Sequence, residues 1–175
     1  MFKELNDLSV FINEPDRELS IREYARLRRI SPATALMRLH IFETQGLLVS
    51  KTLRNNKLYS ANEQSQKYKL TKKYYSILSI INTELLQHLI DSFREPLAIY
   101  LFGSYAKAEN RPNSDIDIFI LTRTKTTIDI SQFEKNINAK IQLFVYTEEE
   151  LKKANKHLLN NIINGIKLYG FWEAF

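Results

Sequence analysis

Leu97-Ala98-Ile99-Tyr100-Leu101-Phe102 and Asp115-Ile116-Asp117-Ile118-Phe119-Ile120-Leu121 are separated by only twelve residues, among them Gly103-Ser104 and Arg111-Pro112-Asn113-Ser114. The first, a continuous apolar run after Pro96, has the pattern of a strand buried on both faces, and the second alternates like a strand from its start. The spacer reads as a short helix through Tyr105, Ala106, Lys107 and Ala108, followed by a turn. These elements predict an α/β arrangement for the C-terminal half. They also gather chemistry: residues two apart on a strand share a side, so Asp115 and Asp117 project together. Two carboxylates that close raise each other's pKa unless a cation sits between them, and magnesium, which takes oxygen ligands and is shared with phosphates, is the obvious one. Gly103-Ser104 places a residue without a side chain and a hydroxyl at a helix start, where backbone amides favour phosphate. A phosphate cradle upstream of a paired carboxylate points to a nucleotide with its metal.

The rest of the 175-residue chain narrows the classes. With 44% hydrophobic and 26% charged residues it has the composition of a folded globular protein, and its length suits two small domains. It contains no cysteine, which excludes disulfides, thiolate zinc sites and cysteine nucleophiles. No stretch approaches the ~18 consecutive apolar residues of a membrane span. The N-terminal MFKELNDLSVFINEP lacks the apolar core of a signal peptide, so a cytoplasmic location is expected. The net charge is +5, and residues 1–62 carry ten Lys and Arg against seven Asp and Glu. That excess is a mild pointer to a polyanionic partner.

In the N-terminal third, an amphipathic opening helix is broken at Glu14-Pro15-Asp16. Ser20-Ile21-Arg22-Glu23 then forms a capping box that starts a second helix. Ser31-Pro32 starts a third, with Ala35, Leu36, Leu39, Ile41 and Phe42 as its expected core side. It ends at Gly46, and two short strands flank Arg54-Asn55-Asn56, where Asn-Asn suits a hairpin turn. Helix, helix, helix and hairpin, with the junction LHIFETQGLL (residues 39–48), resembles the winged helix-turn-helix DNA-binding domains of prokaryotic regulators. The resemblance implies a recognition helix over residues 31–45. Thr34 and Arg38 would reach DNA from it, and Arg54 and Lys57 from the wing.

Residues 63–93 contain neither proline nor glycine, and apolar residues recur at helical spacing from Leu70 to Phe93. They predict one long connecting helix, or two stacked near Thr71. The apolar stripe is buried either within the chain or in a homodimer seam, as two-fold DNA half-sites would favour. Domains are thus expected at 1–62, 63–93 (the connector) and 94–175.

Gly103-Ser104, a ten-residue spacer and Asp115-Ile116-Asp117, in the form GSYAKAENRPNSDIDIFIL, resemble the signature of polymerase-β-like nucleotidyltransferases, in particular their minimal branch, over residues 94–155 or so. The resemblance implies a mixed sheet flanked by helices. Gly103, Ser104 and Lys107 would bind the triphosphate of ATP or another NTP, and Asp115 and Asp117 would be catalytic ligands of Mg²⁺. Lys107 stands where the family often has arginine. The family's third carboxylate, a general base on a later strand, falls on Gln142 of Lys140-Ile141-Gln142-Leu143-Phe144-Val145-Tyr146. Glutamine is neutral and cannot take a proton. Asp129 and Glu134 are the substitutes within reach by sequence, although Glu134 also forms an expected capping box with Ser131.

The apolar residues from Leu151 to Leu168 read as closing helices that cover the sheet, loosened by Gly165 and Gly170, with Phe171, Trp172 and Phe175 as anchors or dimer contacts. The winged helix, the connector and Gln142 together favour a DNA-binding regulator that holds a magnesium-nucleotide with weak or no catalysis. The alternative is an active enzyme moving an NMP from an NTP to a hydroxyl of a protein or small molecule.

Overall fold

The computed structural model of the chain describes residues 2–172, so Phe175 lies outside the described residues. Two compact units divide it, 1–72 and 73–175.

In the first unit, α1 (Phe2–Asn13), β1 (Leu19–Ser20), α2 (Ile21–Arg28), α3 (Pro32–Thr44), β2 (Leu48–Leu53) and β3 (Asn56–Ala61) precede the start of α4 (Gln66–Asn82). The Ser20–Glu23 capping box forms in both directions, and α2 ends with Arg29 in the left-handed region at φ 53°. Ser31 caps α3, its hydroxyl accepting from the Thr34 amide at 3.1 Å, and Pro32 follows at the first helical position. β2 and β3 pair antiparallel with Leu53 opposite Asn56, so the turn residues are Arg54 and Asn55, at φ 47° and 63°. The turn therefore sits one residue earlier than the Asn-Asn pair suggested. β1 extends this hairpin into a three-stranded sheet of order β1-β3-β2. At two residues, it carries no periodicity that a sequence could reveal.

Phe11, Leu19, Tyr24, Ala35, Leu39, Phe42, Leu48, Tyr59 and Tyr68 form much of the buried interior of this unit. The Tyr24 hydroxyl donates to the Asp7 carbonyl at 3.0 Å and the Tyr68 hydroxyl to the Phe11 carbonyl at 2.8 Å, which satisfies both phenols in an apolar setting. Burial, reinforced by Asp7, pushes the Tyr24 pKa up to about 12. Leu36 and Ile41, expected inside, are instead 47% and 41% exposed. The interior covers only the Ala35-Leu39-Phe42 stripe of α3.

In the second unit, α4 gives way to α5 (Leu85–Ser92) where Glu84 adopts φ 61°, so the helical connector breaks there rather than near Thr71. A four-stranded sheet of order β6-β5-β4-β7 follows: β4 (Ala98–Phe102), β5 (Ile116–Leu121), β6 (Ile141–Tyr146) and β7 (Ile166–Gly170). β5 and β6 are parallel; the other pairs are antiparallel. Helices α6 (Gly103–Lys107), α7 (Ser131–Ile137), α8 (Glu148–Lys152) and α9 (Lys156–Ile163) complete the flanked mixed sheet.

The alternation of the strands sorts side chains between two cores. Ile80, Leu85, Leu89, Phe93 and Phe133 pack with Ile99, Leu101, Ile116, Ile118, Ile120 and Ile141 on one face. Leu151 and Ile162 pack with Ala98, Phe102, Phe119 and Leu121 on the other. The α5 portion of the connector's apolar stripe is thus consumed inside its own unit.

β7 corrects the expected closing helix. Ile166 and Leu168 alternate along an edge strand, and Gly165 leaves room for it: a Cβ there would stand 2.6 Å from the Leu101 carbonyl oxygen. The Ser131 capping box is also absent. The Ser131 amide donates to Asp129 Oδ1 at 2.9 Å, while Glu134 Oε1 accepts from the Ile141 amide at 2.9 Å.

Candidate functional site

Asp117 sits on β5 opposite Phe102, the last residue of β4, and next to Gln142 on parallel β6. Its parity places it with Phe119, Leu121 and Phe102 on the face covered by α8 and α9. Asp115 lies one residue before β5, which starts at Ile116 rather than at Asp115 as expected, and its carboxylate is brought to the same end of the sheet, where it accepts from Gln142 and its charge acts on Asp117. Burial, and then the charge of Asp115, push the Asp117 carboxyl above the usual carboxylate range. A divalent cation between them would relieve that repulsion.

The turn from β4 into α6 shapes the other wall. Gly103 has φ +68°, a region that disfavours side chains, and a Cβ there would fall 2.0 Å from Asp117 Oδ2. The Asp117 carboxylate therefore lies directly on the Gly103 backbone, in space that only glycine leaves open. Ser104 follows, partly accessible, and its carbonyl accepts from the Glu109 amide at 2.9 Å. Lys107 is exposed, with its Nζ 3.5 Å from Asn161 Oδ1 on α9. Asn161 is a polar neighbour that sequence reasoning missed, since nothing in its helical surroundings singles it out.

Gln142 projects to the same face as Asp117, and its Nε2 donates to Asp115 Oδ2. The two alternative carboxylates are committed elsewhere. Asp129 accepts from the Ser131 amide, which holds it below the usual range, and Glu134 anchors the start of β6 through Ile141. Among the described residues, no group of three or more His, Cys, Asp or Glu side chains converges into a metal cage. The pair Asp115 and Asp117 offers oxygen ligands suited to a hard cation that also keeps ligands from a substrate.

The residues nominated for DNA contact fare unevenly. Arg38 Nη1 donates to Asp7 Oδ1 at 2.7 Å, and Arg28 Nη2 reaches the same oxygen at 3.3 Å. Arg38 is thus an internal ion-pair partner, not the exposed side chain expected from its helix position. The Thr34 hydroxyl lies 2.8 Å from the Ser31 hydroxyl at the helix cap. Lys57 Nζ pairs with Glu43 at 2.8 Å and lies 4.9 Å from the centre of the Tyr59 ring. Arg54 is exposed at the tip of the hairpin. The exposed side of α3 carries Leu36, Met37 and Ile41.

No described helix is long and apolar enough to cross a membrane. A crystal structure of a toxin-antitoxin with AMP-PNP is similar to this chain at 25% identity and a TM-score of 0.38, covering 54% of this chain and 73% of that one. A comparison with curated proteins finds no match. Residues 84–171, from the turn before α5 through β7, match the model of a family described as polymerase beta, nucleotidyltransferase. With that match spanning half the sequence and containing the Gly103-Ser104 turn and both aspartates, the chain belongs to the polymerase-β nucleotidyltransferase family.

Proposed function

We propose that the second unit binds a magnesium-complexed nucleoside triphosphate, ATP or another NTP, and transfers its nucleotidyl group slowly or not at all. Asp115 and Asp117 would hold the metal, with Gly103, Ser104 and Lys107 against the phosphates. Magnesium bound there would offset the paired carboxylates and polarise the phosphoryl group. The observation that carries the reading is Gln142, beside Asp117 on β6 and hydrogen-bonded to Asp115. Its amide can orient Asp115 but cannot remove a proton from an acceptor hydroxyl. General-base assistance contributes about 10²–10⁴-fold, so nucleotide binding survives its loss far better than turnover does.

The test is incubation with α-labelled ATP and Mg²⁺, comparing the native chain with Asp115→Ala/Asp117→Ala and Gln142→Asp. Metal-dependent ATP binding lost in the double variant, with transfer detectable only in Gln142→Asp, is the expected result. Label transferred to a protein or small-molecule hydroxyl by the native chain, as fast as by Gln142→Asp, would establish the active enzyme instead.

For the first unit we read a winged helix-turn-helix, with α2 and α3 as the helix pair, β2 and β3 as the wing, and DNA as the partner of a homodimeric regulator. Its support is the helix-helix-hairpin order and the exposed cations Arg22, Arg26, Arg29 and Arg54. Because Arg38 is engaged with Asp7, phosphate contacts rather than base readout by α3 would dominate. Retardation of a duplex should then weaken with salt and on Arg54→Ala. Binding insensitive to both would overturn this reading.

A further inference from the structure

At the end of the sheet away from the two aspartates, the segments after α5 and after β5 enclose a cleft of about 400 Å³. Its walls include Arg94, Glu95, Thr122, Arg123, Thr124 and Lys125. Leu121, which precedes this wall, is four residues along β5 from Asp117, about 13 Å at strand spacing, so the cleft is separate from the Gly103–Asp117 site. The frame is well fixed: the Leu97 amide donates to the Leu121 carbonyl at 2.8 Å and the Thr122 amide to the Tyr146 carbonyl at 3.0 Å.

The charges in this cleft are unevenly satisfied. Lys125 is paired with Glu150 at 2.7 Å, whereas the Arg94 and Arg123 guanidinium groups are exposed and have no ion-pair or hydrogen-bond partner among the described residues. Arg94 also holds φ 52° at the end of α5, where its amide donates to the Asp91 carbonyl and the next amide to Ile90. This is the left-handed position that glycine commonly fills. The chain instead places a guanidinium there, beside a cleft whose lining also includes that of Arg123.

We propose that this cleft is an anion site for a small phosphorylated ligand bearing at least two linked phosphates, bound by Arg94 and Arg123 independently of the aspartate pair. Planar guanidinium groups bind phosphate oxygens bidentately, and the volume accommodates a diphosphate or nucleoside diphosphate. The Thr124 and Thr126 hydroxyls supply further donors. Glu95, on the same wall, opposes a bare anion but accepts from a hydroxyl or amino group, which favours a ligand carrying such a donor beside its phosphates.

The test is calorimetric titration of the full chain in EDTA, which removes any metal from the carboxylates, with ADP and separately with inorganic pyrophosphate. ADP should bind, with affinity unaffected by Asp115→Asn/Asp117→Asn and lowered about tenfold or more by Arg94→Gly/Arg123→Ala. Glycine suits the left-handed backbone at residue 94, so this variant should melt at the native temperature or above it. ADP tighter than pyrophosphate identifies a nucleotide ligand; equal affinities identify the diphosphate alone. Absence of binding, or affinity unchanged in the arginine variant, overturns the proposal. So does retention of single-stranded nucleic acid through these arginines without ADP binding.

Discussion

Gln142 stands directly beside Asp117 across the parallel pair β5 and β6, on the same face of the sheet. The donation from its amide to Asp115 ties β6, which lacks a carboxylate, to the residue that leads into β5. A neutral donor holds one carboxylate in place without adding negative charge, so the two aspartates face no third repulsive group there.

Gln142→Asp should therefore separate stability from metal affinity. Without divalent ions the variant should melt lower than native, because three carboxylates crowd one end of the sheet. With Mg²⁺ it should gain more in melting temperature than the native chain does. Thermal scans with and without Mg²⁺ decide this, and an identical magnesium response in both proteins would count against the placement of the metal.

Gly103→Ala should abolish metal-dependent ATP binding and destabilise the fold. The added methyl meets Asp117 Oδ2 at 2.0 Å, at a backbone φ of +68° that a side chain resists. Displacement of the carboxylate and backbone strain together should cost about 1–3 kcal/mol. Urea unfolding measures the loss, and a variant that retains both stability and ATP binding would contradict the close approach.

Asp7→Ala removes the shared partner of Arg28 and Arg38, leaving two largely buried guanidinium groups uncompensated. The expected loss is about 3–5 kcal/mol, read as a lower denaturant midpoint with an unchanged slope. Arg38→Ala should act in the same direction. A stability-neutral Arg38→Ala that weakened DNA retention would return Arg38 to the surface role expected from its helix position.

Glu43 links α3 to the hairpin. The Lys57 ammonium, then the Ser50 hydroxyl, hold its carboxyl below the ordinary value of 4.5. A lowered folded-state pKa means the contribution is complete above the unfolded value and fades as pH falls through the folded one. Glu43→Gln should thus be less stable than native at pH 7, by no more than about 1 kcal/mol for so accessible a pair. The difference should close in acid below pH 4.5, and melting curves across that range check the sign.

How much was legible in advance varies with the range of the forces involved. Ser20–Glu23 and Ser31-Pro32 announced their helices because a cap is satisfied by residues three positions away. Ser131–Glu134 carried the same letters, yet Glu134 was drawn to the Ile141 amide once α7 and β6 met. Leu36 and Ile41 have the spacing of a core stripe, but the interior reaches only one side of α3, leaving them exposed. Ile166 and Leu168 fit a helix as well as an edge strand. The open hydrogen-bonding edge of β4 decided for the strand.

What the sequence determined by itself was local or periodic: the buried strands around residues 97–121, the Gly103-Ser104 turn, the paired aspartates, and the neutral residue at 142. Each follows from a strand period of two, a cap, or the conformational freedom of one glycine. Only the tertiary structure decided which groups meet across the chain, namely Gln142 with Asp115, Arg38 with Asp7, and Arg94 with Arg123 around one cleft. The reason is physical: charge pairing and burial depend on distances set when separate elements pack, and residues far apart in sequence carry no local mark of the partners they will find.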